Sequence, residues 1–241
     1  MSFPVIKCSY RAEDIEIDPH EVLRYLGYKK ELVTAEDIAQ VQALLPEARA
    51  AIKAAACWGR FEVELLEEGK IRFPYGQAVS RDLWRNLTLG VLAGESLACG
   101  GQGTLTDKGA PSAGQGALTN GSQPCGSREV FLFAATIGLA YDRLVQRSRI
   151  TSMAKASFLN AIGAAAVENV CDQLNEELCR IAAEEGKSLR PRYSAGYGDF
   201  SLENQRGIFD LLSPAKHIGL TLKDNLIMVP EKSVTAVIGL Y

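Results

Sequence analysis

Histidine is almost missing from this sequence: His20 and His217 are the only two in 241 residues. Imidazole is the commonest general base and metal ligand, and neither histidine stands in a metal-ligand spacing, so zinc hydrolases are excluded and no metal site is expected. The six cysteines (Cys8, Cys57, Cys99, Cys125, Cys171, Cys179) contain no CxxC pair, and the opening Met1-Ser2-Phe3-Pro4 has no basic-plus-apolar leader pattern. Free thiols and a cytoplasmic location are therefore expected, with a Cys99–Cys125 bridge as the alternative. In that setting the sequons at Asn86 and Asn120 carry no meaning. Long hydrophobic runs are also lacking: the longest, Val130 to Ala140, falls far short of the roughly 20 residues of a membrane-spanning helix. Nor is there an excess of positive charge. A net charge of -3 and a pI near 5.6 leave no electrostatic footprint for nucleic acid or for an anionic membrane surface.

What remains is an ordinary globular composition, 47% hydrophobic and 23% charged. At roughly 100–200 residues per domain, a single domain over residues 1–241 is the simplest organisation. Val22, Leu23, Tyr25 and Leu26 recur at helix spacing within Asp18–Tyr28, before Gly27. Thr34 with Glu36 and Asp37 reads as the N-cap of an alanine-rich helix, which Pro46 is expected to split into two segments reaching Lys53. Phe61–Leu65 and Ile71–Phe73 alternate apolar and charged residues around a turn, as in a hairpin. Ser80 caps a further helix expected to run toward Cys99. Between Gly100 and Gly126 fall eight of the 22 glycines, and this segment, 100–126, is expected to be a flexible insertion within the domain.

From Val130 to Gly138 an apolar run predicts a buried strand feeding a helix. Leu159, Ile162, Ala166, Val170, Leu174, Leu178 and Ile181 then form the stripe of a long core helix that ends near Gly186. A loop over Arg190–Asp199, a helix through Leu212 stopped by Pro214, and three short strands (218–222, 226–229, 234–240) complete the chain. Helices and antiparallel strands interspersed without a βαβ alternation define the class as α+β.

The glycine-rich segment has no phosphate chemistry: Gly109 to Gly114 has Walker spacing, but Gln115 and Gly116 stand where Lys and Ser/Thr are needed. A GxSxG elbow and the glycine-rich strand-to-helix motif of ordinary small-molecule methyltransferases are absent too. The loop Arg192–Asp199 is the better candidate. Arg192 offers a bidentate fork to a carboxylate, Gly196 and Gly198 let backbone approach a ligand, and Tyr197 offers an aromatic face to a cation. On local sequence alone, the same residues better suit a tight turn between two helices with Tyr197 packed on the core.

Arg192-Tyr193-Ser194-Ala195-Gly196-Tyr197-Gly198-Asp199, followed by Leu202 and Gln205, resembles the Arg-x-Ser-Pro-Gly-Tyr-Gly-Asp signature of the activation domain of cobalamin-dependent methionine synthase, in a stand-alone form. Met228 to Gly239, with Pro230, Ser233 and Val234, resembles the same family's closing element, and Thr136-Ile137-Gly138, Asp142-Arg143 and Tyr25-Leu26-Gly27-Tyr28 look familial. The resemblance implies helices packed on a twisted, mainly antiparallel sheet, and a module that binds S-adenosylmethionine and presents it to cobalamin carried by a corrinoid-binding methionine synthase or related corrinoid methyltransferase. It also implies a one-electron donor such as flavodoxin or ferredoxin. Ligand contacts carried over are Arg192, Ser194, Gly196, Tyr197 and, on the long helix, Glu168; no catalytic side chain is implied, because the nucleophile is the partner's metal. Lys232 and Ser233 would help shape the pocket. Glu168 lies off the apolar stripe, as an ordinary solvent-facing glutamate would. Ala195 replaces the motif's Pro, which is expected to loosen the loop. Sequence alone leaves open a non-catalytic adaptor for a corrinoid methyltransferase.

Overall fold

In a strand, neighbouring side chains point to opposite faces, so a strand without polar alternation has to be covered on both sides. β5 (Gly126–Thr136) is such a strand: Phe131, Phe133 and Ala135 enter one core, while Val130, Leu132 and Ala134 enter a second. The computed structural model, which describes residues 4–88 and 126–241, sets β5 between β2 (Ala54–Leu65) and β8 (Ser233–Leu240), antiparallel to both. β1 (Ile6–Tyr10) pairs with the first half of β2; β3 (Lys70–Phe73) and then β4 (Gly76–Val79) extend the sheet from its last residues. Every pairing in the described sheet is antiparallel, and the class is α+β.

The first core lies under α1 (Pro19–Tyr25), α2 (Ala35–Ala51), α4 (Leu139–Thr151) and α5 (Met153–Glu184). The expected stripe of α5 is buried from Leu159 through Leu178. Where α4 crosses α5 the two approach closely: the Tyr141 hydroxyl donates to the Leu159 carbonyl at 2.6 Å, and a Cβ on Gly163 would stand 2.5 Å from the Tyr141 ring. The second core is closed by α3 (Arg81–Thr88), α6 (Asn204–Leu212) and α7 (Pro214–Ile218). No helix among the described residues is long and apolar enough to cross a membrane. The expected flexible segment, up to residue 125, together with Cys99, Cys125 and the continuation of α3 toward Cys99, lies outside the described residues. Cys8, Cys57 and Cys171 are free thiols.

Several local expectations are corrected. Pro46 does not split its helix: α2 is continuous, and because Pro46 and Gln42 are both exposed, water can satisfy the carbonyl that the missing N–H leaves unbonded. Thr34 caps α2 as expected, and Asp37 completes a capping box with it. β2 is 12 residues long and includes Ala54-Ala55-Ala56, and β1 and β4 are strands beyond those expected. Pro214 ends α6 but then opens α7, occupying a first-turn position where its lack of an N–H costs nothing. The tail's first two strands shrink to the pairs Thr221–Leu222 (β6) and Met228–Val229 (β7).

Since Pro46 sits inside an intact helix with an exposed side chain, Pro46→Ala should raise stability to chemical unfolding, by up to about 3 kcal/mol. A lowered denaturation midpoint would contradict a continuous α2.

Candidate functional site

After α5 the chain turns at Gly186 and runs back along β8 as an added edge: Ser188 and Tyr241 exchange backbone hydrogen bonds at 2.9 and 3.1 Å, Arg190 donates to Gly239 at 2.9 Å, and Tyr193 and Val237 exchange bonds at 2.8 and 2.9 Å. Extended backbone sends adjacent side chains to opposite faces. Arg192 accordingly reaches α5, where Nη1 donates to Asp172 Oδ1 at 2.6 Å and Nη2 to Glu168 Oε2 at 2.7 Å. The guanidinium is largely buried; although burial opposes its charge, Cys171, Asp172 and Glu168 hold its pKa above the ordinary value. The two carboxylates stand one helical turn apart on α5. Arg192 and Glu168, both expected at the site, are thus in contact. Asp172 is a further member that the sequence did not single out; its four-residue spacing from Glu168 was the available signal.

Tyr193 goes to the other face, among the second core, with its ring 6.4 Å from Phe200. Burial, with the nearby charges of Asp82 and Asp199, pushes its phenol up to about 12. From Ser194 to Phe200 the chain makes a tight double turn. Gly196 donates to the Phe200 carbonyl at 2.7 Å, Tyr197 to Ser194 at 3.1 Å, and Phe200 to Tyr197 at 2.9 Å. Gly198 has φ +49°, and a Cβ there would stand 2.5 Å from the Tyr193 hydroxyl and 2.7 Å from Asp82 Oδ2, so only glycine fits. Asp199 closes the turn by capping α3: its carboxylate accepts from the Ser80 hydroxyl and from the N–H groups of Arg81 (2.7 Å) and Asp82 (3.3 Å). Ala195 is buried in the second core, and these bonds hold the loop without the proline of the motif.

Ser194, Gly196 and Tyr197 therefore follow Arg192 closely in sequence but are not among its hydrogen-bond or ion-pair partners. Tyr197 is 52% exposed, its ring 6.4 Å from that of Tyr193. Lys232, half-buried near Gly163 and Asp142, lies by the α4–α5 crossing, where burial lowers its pKa. The Ser233 hydroxyl bonds Thr136 Oγ1 at 2.9 Å and the Pro230 carbonyl at 2.8 Å, which ties the start of β8 to the end of β5.

Beside the Arg192 cluster, the chain entering α1 faces α5 across a pocket of 140 Å³ lined by Glu16, Asp18, Glu21, Tyr25, Glu168 and Asp172, with Ala165 and Asn169. Asp18 caps α1, accepting from the His20 N–H at 2.9 Å, and Asn169 Oδ1 accepts from the Glu16 N–H at 3.0 Å, so backbone bonds fix both walls. Burial, and then the charge of Glu168, raises the Tyr25 pKa. Carboxylates from two elements far apart in sequence thus concentrate negative charge here, with Glu21 paired to Arg24 and Glu168 and Asp172 to Arg192. Of the five N–H donors of Arg192, two are engaged among the described residues. The carboxylates lining the pocket suit a cationic group, and Arg192 holds two of them from outside the lining.

The Asp199 cap gives a pH-dependent prediction. Burial opposes ionisation, but hydrogen bonds from Ser80, Arg81 and Asp82 hold its pKa below 3.8, so its contribution is present above that value and lost as pH falls through the folded-state value. Asp199→Asn should lower stability by about 0.5–2 kcal/mol at neutral pH, the usual worth of a helix cap. The gap between variant and wild type should narrow below pH 4 in denaturant titrations; a gap that widens there would contradict the cap.

No family model matches the sequence, and no curated protein matches it. In three dimensions the chain is similar to the MetH reactivation domain, whose crystal structure was solved bound to AdoHcy, with a TM-score of 0.65 and 15% sequence identity. The likeness covers 98% of this chain and 78% of that one. At that identity the likeness carries the fold, and the fold of this chain is that of a reactivation domain.

Proposed function

We propose that this chain binds S-adenosylmethionine and docks on a corrinoid protein to support reductive methylation of cob(II)alamin to methylcobalamin, so reactivating a cobalamin-dependent methionine synthase or a related corrinoid methyltransferase. One observation carries this reading: Arg192, held by Glu168 and Asp172, stands beside an acidic pocket within a reactivation-domain fold. S-adenosylmethionine combines an ammonium, a sulfonium and a carboxylate, the charges that this donor and acceptor set complements. A volume of 140 Å³ is well below the roughly 300–1,000 Å³ that encloses a whole small-molecule ligand, so the pocket takes the amino-acid end only. The nucleoside then lies outside it toward the Ser194–Tyr197 turn, where Gly196 lets the backbone approach.

When bound, S-adenosylmethionine supplies an electrophilic methyl group. The chain's own residues orient it: Arg192 and the acidic pocket fix the amino-acid end, and exposed Tyr197 faces the partner's corrin. Such positioning calls for no acid–base side chain, which suits a chain with two histidines. A one-electron donor of the flavodoxin or ferredoxin kind completes the cycle, and such partners place the protein in the cytoplasm.

Isothermal titration should show S-adenosylmethionine binding to the wild type. Arg192→Ala should weaken it by about tenfold or more, in keeping with the ~1.5–3 kcal/mol of a hydrogen bond to a charged group. No binding by the wild type, or unchanged affinity in the variant, would sink the reading. With a reductant and S-adenosylmethionine, the protein should also restore turnover to a methionine synthase arrested as cob(II)alamin.

A non-catalytic adaptor is the second reading, favoured by the fact that Glu168 and Asp172 already neutralise Arg192. It predicts capture of a corrinoid protein that survives Arg192→Ala and Tyr197→Phe, with no reactivation.

A further inference from the structure

The outer face of α4 departs from that of an ordinary surface helix. Its inner face is buried through Tyr141, Leu144 and Val145. On the outer face positions 139, 143, 147 and 150 follow one another at four, four and three residues, which makes them a single stripe. Both ends of that stripe are aliphatic and exposed: Leu139 at 43% and Ile150 at 86%, followed by Met153, the first residue of α5, at 67%. Isolated exposed aliphatics are ordinary. These three instead bracket Arg143, Arg147 and Arg149, none of which has a side-chain partner among the described residues, whereas Arg24, Arg60, Arg192 and Arg206 each hold a carboxylate. The one acid of the segment, Asp142, is turned inward and accepts from the Glu231 N–H at 2.7 Å. Three unpaired cations therefore stand together on a chain whose net charge is -3.

The relief of this face argues for a protein partner. Ile150 borders a hollow of 430 Å³ lined with Ala140, Arg143, Gln146 and Arg147, and Met153 borders a cleft of 620 Å³ that Arg149, Tyr25 and Leu26 also line. A ridge between two hollows accepts side chains from a complementary surface; a flat lipid layer would leave both empty. Residues 89–125 of the chain itself hold only Glu95 and Asp107 as acids, too few to neutralise the stripe.

We propose that the outer face of α4 with the start of α5 docks an acidic helical segment of a partner protein, whose carboxylates meet Arg143 and Arg147 and whose aliphatic side chains pack beside Ile150 and Met153. This interface does not depend on S-adenosylmethionine binding, so the two readings fail separately.

The test uses the full chain and fluorescence polarisation of a fluorescein-labelled amphipathic helical peptide, with glutamates at one-turn spacing and leucines between, alongside its glutamine twin. The glutamate peptide should bind at low salt and weaken as salt is added. The twin should bind more weakly, and Arg143→Glu with Arg147→Glu, or Ile150→Asp alone, should each cost about tenfold or more in affinity. Melting temperature and S-adenosylmethionine titration should stay unchanged, since these side chains are exposed and outside the acidic pocket. The proposal is overturned by no peptide binding in the wild type, by binding indifferent to those substitutions, by sedimentation with phosphatidylserine vesicles in place of peptide binding, or by self-association that the substitutions abolish.

Discussion

β8 is hydrogen-bonded along both edges, to β5 on one side and to the returning segment Ser188–Tyr193 on the other, and the arrangement of the site depends on that double pairing. The returning segment is the stretch that precedes the tight turn, so its register sets where the turn begins. Because strand side chains alternate, the register with Tyr193 opposite Val237 sends Arg192 to the α5 face and Tyr193 to the α3 and α6 face. A slip by one residue would exchange them, burying the guanidinium in the second core and leaving Glu168 and Asp172 without their cation.

Two charge clusters anchor the loop to the two layers of the protein. On one side Arg192 joins the sheet edge to α5; on the other Asp199 joins the turn to the N-terminus of α3. Each is a partly buried charge held by two or three partners, the condition under which such groups are retained without a large desolvation cost. The turn between them is then held at both ends. Preorganisation usually supplied by a fixed φ comes here from hydrogen bonds and from the burial of the Ala195 methyl.

Much of the scaffold was legible because it is written in local pattern. The stripe of α5, the Thr34 N-cap and the apolar run of β5 are each set by residues within a few positions of one another. Failures fall where the decisive contact is distant. Ala54-Ala55-Ala56, which local pattern left unassigned, is strand because β1 and β5 pair with it on either side and α5 packs across the strand, where small side chains let the layers approach. β1 alternates apolar and polar residues over only five positions, with Cys8 and Tyr10 packed on the first core, and its pairing with β2 is what completes it as a strand.

For the site the same division holds. By itself the sequence determined that a loop carries Gly196 and Gly198, which adopt positive φ, because backbone conformation over a few residues is a local property. It also singled out Arg192 and Glu168, through the likeness of the surrounding motif. That Asp172 shares Arg192, and that Glu16, Asp18 and Glu21 face Glu168 across a pocket, was decided only by the tertiary structure. The four-residue spacing of Glu168 and Asp172 puts both on one side of α5 but does not say what they meet. Which of them meet depends on how α1 packs on α5 and on which face of the sheet edge each side chain leaves.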